Sequence, residues 1–222
     1  MSEKQDPSLT DTTRRRFVKT AGAAAAAGAA IGFPSVTFGV PNDKKLKIGV
    51  VGTGGRGGGA MLNALAADDN VELYSMGDLY LAEAEKKLAM VRKSPIAKDK
   101  LAGDLDSRVF SGIDSYKKVI DSGVDVILLT TPPGFRPTHF KAAVEAGINC
   151  FVEKPCATDI AGVKDFLATS KIAAEKGLSV LCGFCYRYSQ QGRALFERIH
   201  DGAIADIRSV HSIYHAGPVK AM

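Results

Sequence analysis

Gly52, Gly54 and Gly57 stand in the spacing G-x-G-x-x-G, directly after the apolar run Ile48 to Val51. Glycine at this density costs roughly 0.5–1 kcal/mol per residue in regular structure, and a ligand that needs bare backbone close by is the simplest compensation. Between a strand and a helix, the pattern suits a dinucleotide pyrophosphate resting on a helix N-terminus. The loop Gly52-Thr53-Gly54-Gly55-Arg56-Gly57 is therefore expected to bind cofactor. Arg56 stands either beside the pyrophosphate or solvated in the first helical turn. Asp78 closes the second apolar run about twenty residues beyond Gly57, near the spacing at which a carboxylate accepts from adenosine ribose hydroxyls. The competing reading is a turn or N-cap residue. A carboxylate there repels a 2′-phosphate, and Leu79 and Tyr80 supply no cation. NAD is expected over NADP.

Two further constellations sit at strand ends. Thr130-Thr131-Pro132-Pro133 closes the most apolar run of the chain. In an open parallel sheet the ligand lies outside the carboxyl ends of the strands, so Thr131 and Pro132 should face the nicotinamide half of the cofactor. His139 follows on the next helix, either as a structural histidine or in contact with the cofactor. Cys150-Phe151-Val152-Glu153-Lys154-Pro155 ends another buried run, with a cis option at Lys154-Pro155. A lysine projected into a partly dry cleft can hydrogen-bond a substrate hydroxyl, which makes Lys154 the catalytic candidate and Glu153 its neighbour at the cofactor. The plainer reading is a surface Glu-Lys pair in a strand-to-helix loop.

Cys182-Gly183-Phe184-Cys185 has the C-x-x-C spacing of thiol-redox and zinc sites. It interrupts the end of a strand, where core packing is the simpler role, and Cys150 and Cys156 read as small buried residues. No metal site is expected.

The elements that must position these residues alternate from Lys47 onwards. Strands are expected at Ile48 to Val51, Val71 to Met76, Val109-Phe110, Val124 to Thr130, Ile148 to Val152 and Leu178 to Cys182. Helices are expected at Arg56 to Ala67, Leu81 to Val91, Asp114 or Ser115 to Asp121, Thr138 to Glu145, Asp159 (or Thr158 before it) to Lys176 and Gln190 to His200. Gly123, Gly147 and Gly177 serve as stops. Arg92 to Ser107 reads as a polar surface excursion. This rhythm implies an α/β fold, a Rossmann-type doubly wound parallel sheet with helices on both faces. A final strand at Ile207 to Tyr214 breaks the rhythm and leaves an edge, as expected of the truncated start of a second α/β domain. The expected organisation is a signal and linker at 1–42, a dinucleotide-binding domain at 45–185, and an incomplete substrate domain at 186–222.

The first 42 residues read as targeting rather than fold. Thr13-Arg14-Arg15-Arg16-Phe17-Val18-Lys19 precedes an uncharged Ala/Gly-rich run and is similar to the twin-arginine export motif. Pro34 and the low apolar area of Ala and Gly make that run a poor membrane span. Thr37-Phe38-Gly39 is a weak small-x-small cleavage site, and an uncleaved anchor is the other option. The expected location is periplasmic or membrane-anchored outside the cytoplasm, reached through the twin-arginine machinery. The formal net charge of +5 comes from 29 basic and 24 acidic residues. Seven Lys/Arg and four Asp/Glu fall in residues 1–45, which leaves the rest nearly balanced and without a nucleic-acid footprint.

The order strand-GTGGRG, strand-GD, strand-TTPP, HFKAAVEAG, strand-EKP and strand-GFCYRY resembles the Gfo/Idh/MocA family of glucose–fructose oxidoreductase and inositol dehydrogenase. The resemblance runs from about Lys45 to Tyr188, and Glu153-Lys154-Pro155 is its most specific element. It implies an NAD(P)-dependent oxidoreductase of sugars or cyclitols, with a second domain built on a large, mostly antiparallel sheet. Sheets of this kind often pair, so a homo-oligomer is expected at full length. Lys154 becomes the lysine beside substrate and nicotinamide, Asp78 the ribose ligand, and Thr131-Pro132 the nicotinamide-side loop. Some relatives use the dinucleotide transiently to cleave glycosides, which gives a second reaction class; a dinucleotide-binding fragment without activity is a third reading. Two departures stand out. Pro133-Gly134-Phe135-Arg136 lengthens the segment before His139, and no Asp-x-x-x-His pair follows Lys154.

Overall fold

The computed structural model describes residues 45–215. The export-type motif, the Ala/Gly run and the cleavage site considered above lie outside the described residues. Six strands form one parallel sheet in the order β3-β2-β1-β4-β5-β6. They are β1 (Leu46–Val51), β2 (Val71–Asp78), β3 (Val109–Ser111), β4 (Val126–Leu129), β5 (Asn149–Val152) and β6 (Val180–Cys182). Six α-helices connect or follow them: α1 (Gly55–Ala67), α2 (Leu81–Arg92), α3 (Ser115–Asp121), α4 (Arg136–Glu145), α5 (Ile160–Glu175) and α6 (Gln190–His200).

Strand order reverses direction at β1, so the chain leaves β1 to one side through β2 and β3 and returns to its other side as β4. That reversal opens a crevice at the carboxyl ends of β1 and β4.

The central strands are apolar in unbroken runs because both of their faces are covered. Val50 and Leu128 face a core with Met61 and Leu65 of α1 and Leu88 and Val91 of α2. Val51, Ile127 and Leu129 face the other core, built with Val119 of α3, Phe140 and Val144 of α4, and Phe166 of α5. Phe140 and Phe166 stack at 4.4 Å between centroids, joining α4 to α5. Asp159 caps α5 by accepting from Gly162 N at 2.8 Å. Gly123, Gly147 and Gly177 all take positive φ after α3, α4 and α5, as their stop role requires.

Three expectations are corrected by packing. The 92–107 stretch is not a loose excursion. Ala97, Ala102 and Leu105 are buried in the first core, and Leu101 bridges Leu73 beside β2. Its apolar residues fit neither helical nor strand spacing, which hid them. Met61, Leu62, Leu65 and Ala66 read as one apolar face of α1; Met61 and Leu65 are buried and Leu62 partly so, but Ala66 is exposed, and Gly58 and Ala60 are buried as well. Residues 207–214 form no strand and are exposed. An alternating pattern becomes a strand only when another strand takes its N–H and C=O groups, and none does so among the described residues. Helix α6 forms as expected, capped by Ser189 Oγ accepting from Gly192 N at 3.1 Å, but carries Leu195 and Phe196 exposed.

Candidate functional site

The first turn of α1 approaches the end of β4 closely, and two glycines permit this. A Cβ on Gly57 would lie 2.1 Å from Gly52 O, and one on Gly52, at φ +88°, would lie 2.6 Å from Thr131 N. Gly54 and Gly55 differ: a Cβ on either meets no atom within 4 Å. They border open space. No side chain caps α1, and its first turn carries no acidic residue. Its leading N–H groups and the positive end of its dipole are thus available to an anion.

Asp78, at the last position of β2, borders the same space. Its Oδ2 accepts from Thr53 N at 2.6 Å and Thr53 Oγ1 at 2.8 Å, and its Oδ1 accepts from Tyr80 N at 3.2 Å. Thr53 is fully buried. The carboxylate is therefore clamped from the glycine-loop side. It shares in the turn before α2, as the plainer reading held, yet Tyr80 rather than Asp78 is the N-cap.

Gly52, Gly54, Gly55 and Asp78 line a cleft of about 420 Å³ that continues past Thr131, Pro132 and His139. Thr130 Oγ1 donates to Val51 O at 3.0 Å, tying the β4 loop to β1. His139 is almost fully buried, stacks on Tyr116 at 4.1 Å between centroids, and has Nδ1 3.3 Å from Thr131 Oγ1. Burial pushes its pKa down to about 4. The ring is neutral at pH 7 and presents one N–H and one lone pair.

The Glu-Lys pair divides. Glu153 is 2% exposed, and its Oε1 accepts from Arg56 Nε at 2.5 Å. It is not a surface residue, nor does it line the cleft; its carboxylate turns inward beneath the glycine loop, where a Cβ on Gly183 would meet it at 3.0 Å. Arg56 lines the cleft while engaged to Glu153. Lys154 is exposed and also outside the cleft lining, on the loop beyond β5, with a cis bond to Pro155.

Sequence reasoning passed over Arg136. It is 5% exposed, stands at the first position of α4, lines the cleft, and donates through one terminal nitrogen to Pro155 O. Burial lowers its pKa. Its position in the lengthened Pro133–Arg136 segment was the available signal, because an inserted cation beside a ligand-side loop calls for a partner.

These features fit a dinucleotide: open glycines at an uncapped helix start, and an oriented carboxylate at the end of the second strand. Gly54, Gly55 and the α1 N-terminus would hold the pyrophosphate, and Asp78 the ribose. Fold and cleft define a dinucleotide-binding Rossmann α/β domain. Residues 46–184 match the model of the Gfo/Idh/MocA oxidoreductase family, with an NAD-binding Rossmann fold, and the chain belongs to that family.

The chain is 28% identical over 174 residues to a glycosyl hydrolase family 109 protein of Streptomyces coelicolor, covering 76% of the chain and 34% of that protein. It is 27% identical over 169 residues to an inositol 2-dehydrogenase of Azotobacter vinelandii, covering 75% of the chain and 44% of that enzyme. It thus spans less than half the length of these relatives. Among solved structures, scyllo-inositol dehydrogenase of Lactobacillus casei with bound NAD(H) and scyllo-inositol superposes with a TM-score of 0.58 at 22% identity. That match covers 73% of the chain and 43% of the enzyme, and shares its fold.

Proposed function

We propose that this chain supplies the cofactor half of an NAD-dependent dehydrogenase that oxidises a secondary hydroxyl of a sugar or cyclitol. The observation that carries the reading is the Asp78 carboxylate, held by Thr53 in the cleft that Gly54 and Gly55 open. An acceptor there takes hydrogen bonds from ribose hydroxyls and repels a 2′-phosphate, which favours NAD over NADP. The nicotinamide supplies a hydride acceptor. Thr131, Pro132 and neutral His139 orient its ring and limit water at that end. Lys154, on the loop after β5, hydrogen-bonds the substrate hydroxyl and favours loss of its proton. Inositol dehydrogenases among the relatives support a polyol substrate.

A second reading rests on the similarity to glycosyl hydrolase family 109 proteins: glycoside cleavage with no net change in the dinucleotide. Assaying the protein with NAD against cyclitols, hexoses and aryl glycosides separates the two. NADH accumulation with polyols supports the dehydrogenase. Sugar release without NADH supports the second reading and overturns the first. We propose further that the protein acts outside the cytoplasm, on the Thr13–Lys19 motif alone; a fusion of residues 1–45 to a reporter that stays cytoplasmic would refute this.

A further inference from the structure

The C-x-x-C spacing singles out Cys182 and Cys185, yet the fold turns Cys182 towards a different partner. Cys156 Sγ lies 3.7 Å from Cys182 Sγ, whereas Cys185 Sγ is directed to Gly183 O. The parallel register that sets Val152 beside Cys182 explains the approach. The turn at Glu153–Pro155 carries the chain back across the end of β6, and Cys156 arrives over Cys182. Both thiols are partly buried, while Cys150 is buried and Cys185 exposed. The buried Arg136 guanidinium donates to the Pro155 carbonyl next to Cys156.

We infer that Cys156 and Cys182 are a disulfide-forming pair, closed by exchange with a small-molecule or protein disulfide. The sulfurs stand 3.7 Å apart and must approach by about 1.7 Å to reach bonding distance. The step balances. One thiolate of the pair attacks a sulfur of the oxidant, forms a mixed disulfide and displaces the first oxidant thiolate. The second thiol gives its proton to solvent and attacks the protein sulfur of that mixed disulfide. The Cys156–Cys182 bond forms, and the second oxidant thiolate leaves. The two cysteines are oxidised and the oxidant becomes two thiols.

Burial pushes the Cys182 thiol up to about 11. A step in which Cys182 is the attacking thiolate therefore accelerates as pH rises. The closed bond ties the segment after Lys154-Pro155 to β6, so that Lys154 stands on a loop anchored covalently on its far side. Cys185 remains a free thiol.

The test is peptide mapping of the purified chain after incubation with oxidised glutathione. Remaining thiols are alkylated and the digest is kept non-reducing. The expected result is one cross-linked pair containing Cys156 and Cys182, with Cys150 and Cys185 alkylated and the same cross-link retained in Cys185→Ser. A Cys182–Cys185 cross-link, a stable glutathione adduct on Cys156 or Cys182 without closure, or alkylation of all four cysteines would each overturn the proposal.

Discussion

Arg56 Nε and Glu153 Oε1 lie 2.5 Å apart although 97 residues separate them in sequence. One belongs to the glycine loop, and the other precedes Lys154. The contact fastens the phosphate-side loop to the loop that presents the proposed catalytic lysine. Removing Arg56 leaves the buried carboxylate, among the described residues, with one long hydrogen bond of 3.3 Å from Lys154 N. The cost is moderated because Arg56 is 41% exposed. Arg56→Ala should lower stability by about 1–3 kcal/mol, and Glu153→Gln should recover part of that loss in the double variant. Urea denaturation of the four proteins of the cycle measures this; additive effects would show that the pair is not coupled.

The glycines of the loop should separate by role. Gly57→Ala forces a Cβ against the Gly52 carbonyl and should destabilise the fold by roughly 2 kcal/mol or more. Gly55→Ala meets nothing in the protein and should leave the melting temperature unchanged or slightly raised. It should still weaken NAD binding about tenfold, because the methyl group occupies space the pyrophosphate needs. Thermal melts and calorimetric titration together decide; undiminished NAD affinity in Gly55→Ala would place the pyrophosphate elsewhere.

Asp78 is expected to set the choice of dinucleotide. Asp78→Ala removes the ribose acceptor and the repulsion of a 2′-phosphate, so NAD affinity should fall roughly tenfold or more while NADP affinity holds or rises. Thr53→Val removes only the clamp at Oδ2 from the hydroxyl and should give a smaller loss in the same direction. Fluorescence titration with both reduced dinucleotides reads the ratio. An unchanged ratio in Asp78→Ala would remove the basis for preferring NAD.

His139 predicts a pH dependence. Burial holds its folded pKa at about 4, against 6.5 as the ordinary value in an unfolded chain. Between those values the unfolded state binds more protons than the folded one, so stability rises with pH. The contribution is fully present above about pH 6.5 and is lost as pH falls towards about 4, amounting to roughly 2–3 kcal/mol. Urea midpoints measured across this window should fall less steeply in His139→Gln than in the parent. Parallel curves would show that the ring is protonated without penalty.

Lys154→Ala should abolish turnover while leaving NAD affinity within about twofold, since the side chain stands outside the cleft that the dinucleotide would fill. Loss of NAD binding in that variant would make Lys154 a cofactor ligand instead.

The local signals in this chain were strong. Unbroken apolar runs, glycine stops and the Gly52–Gly57 spacing each depend on near neighbours, and they determined the parallel sheet, the six α-helices and the glycine turn between β1 and α1. Asp78 was legible because strand two delivers it to the carboxyl edge at a spacing set by one helix and one loop. Contacts between distant residues were not legible. Nothing local to Glu153 says that it turns inward to Arg56, and nothing local to Cys182 favours Cys156 over Cys185. Those pairings follow from the order β1-β4-β5-β6, which brings four loops to one edge of the sheet. Burial of Arg136 has the same origin, since Pro155 O reaches it only through the adjacent placement of β4 and β5. Residues 207–214 show the converse: an alternating pattern carries strand potential, but only a partner's hydrogen-bonding edge turns that potential into a strand.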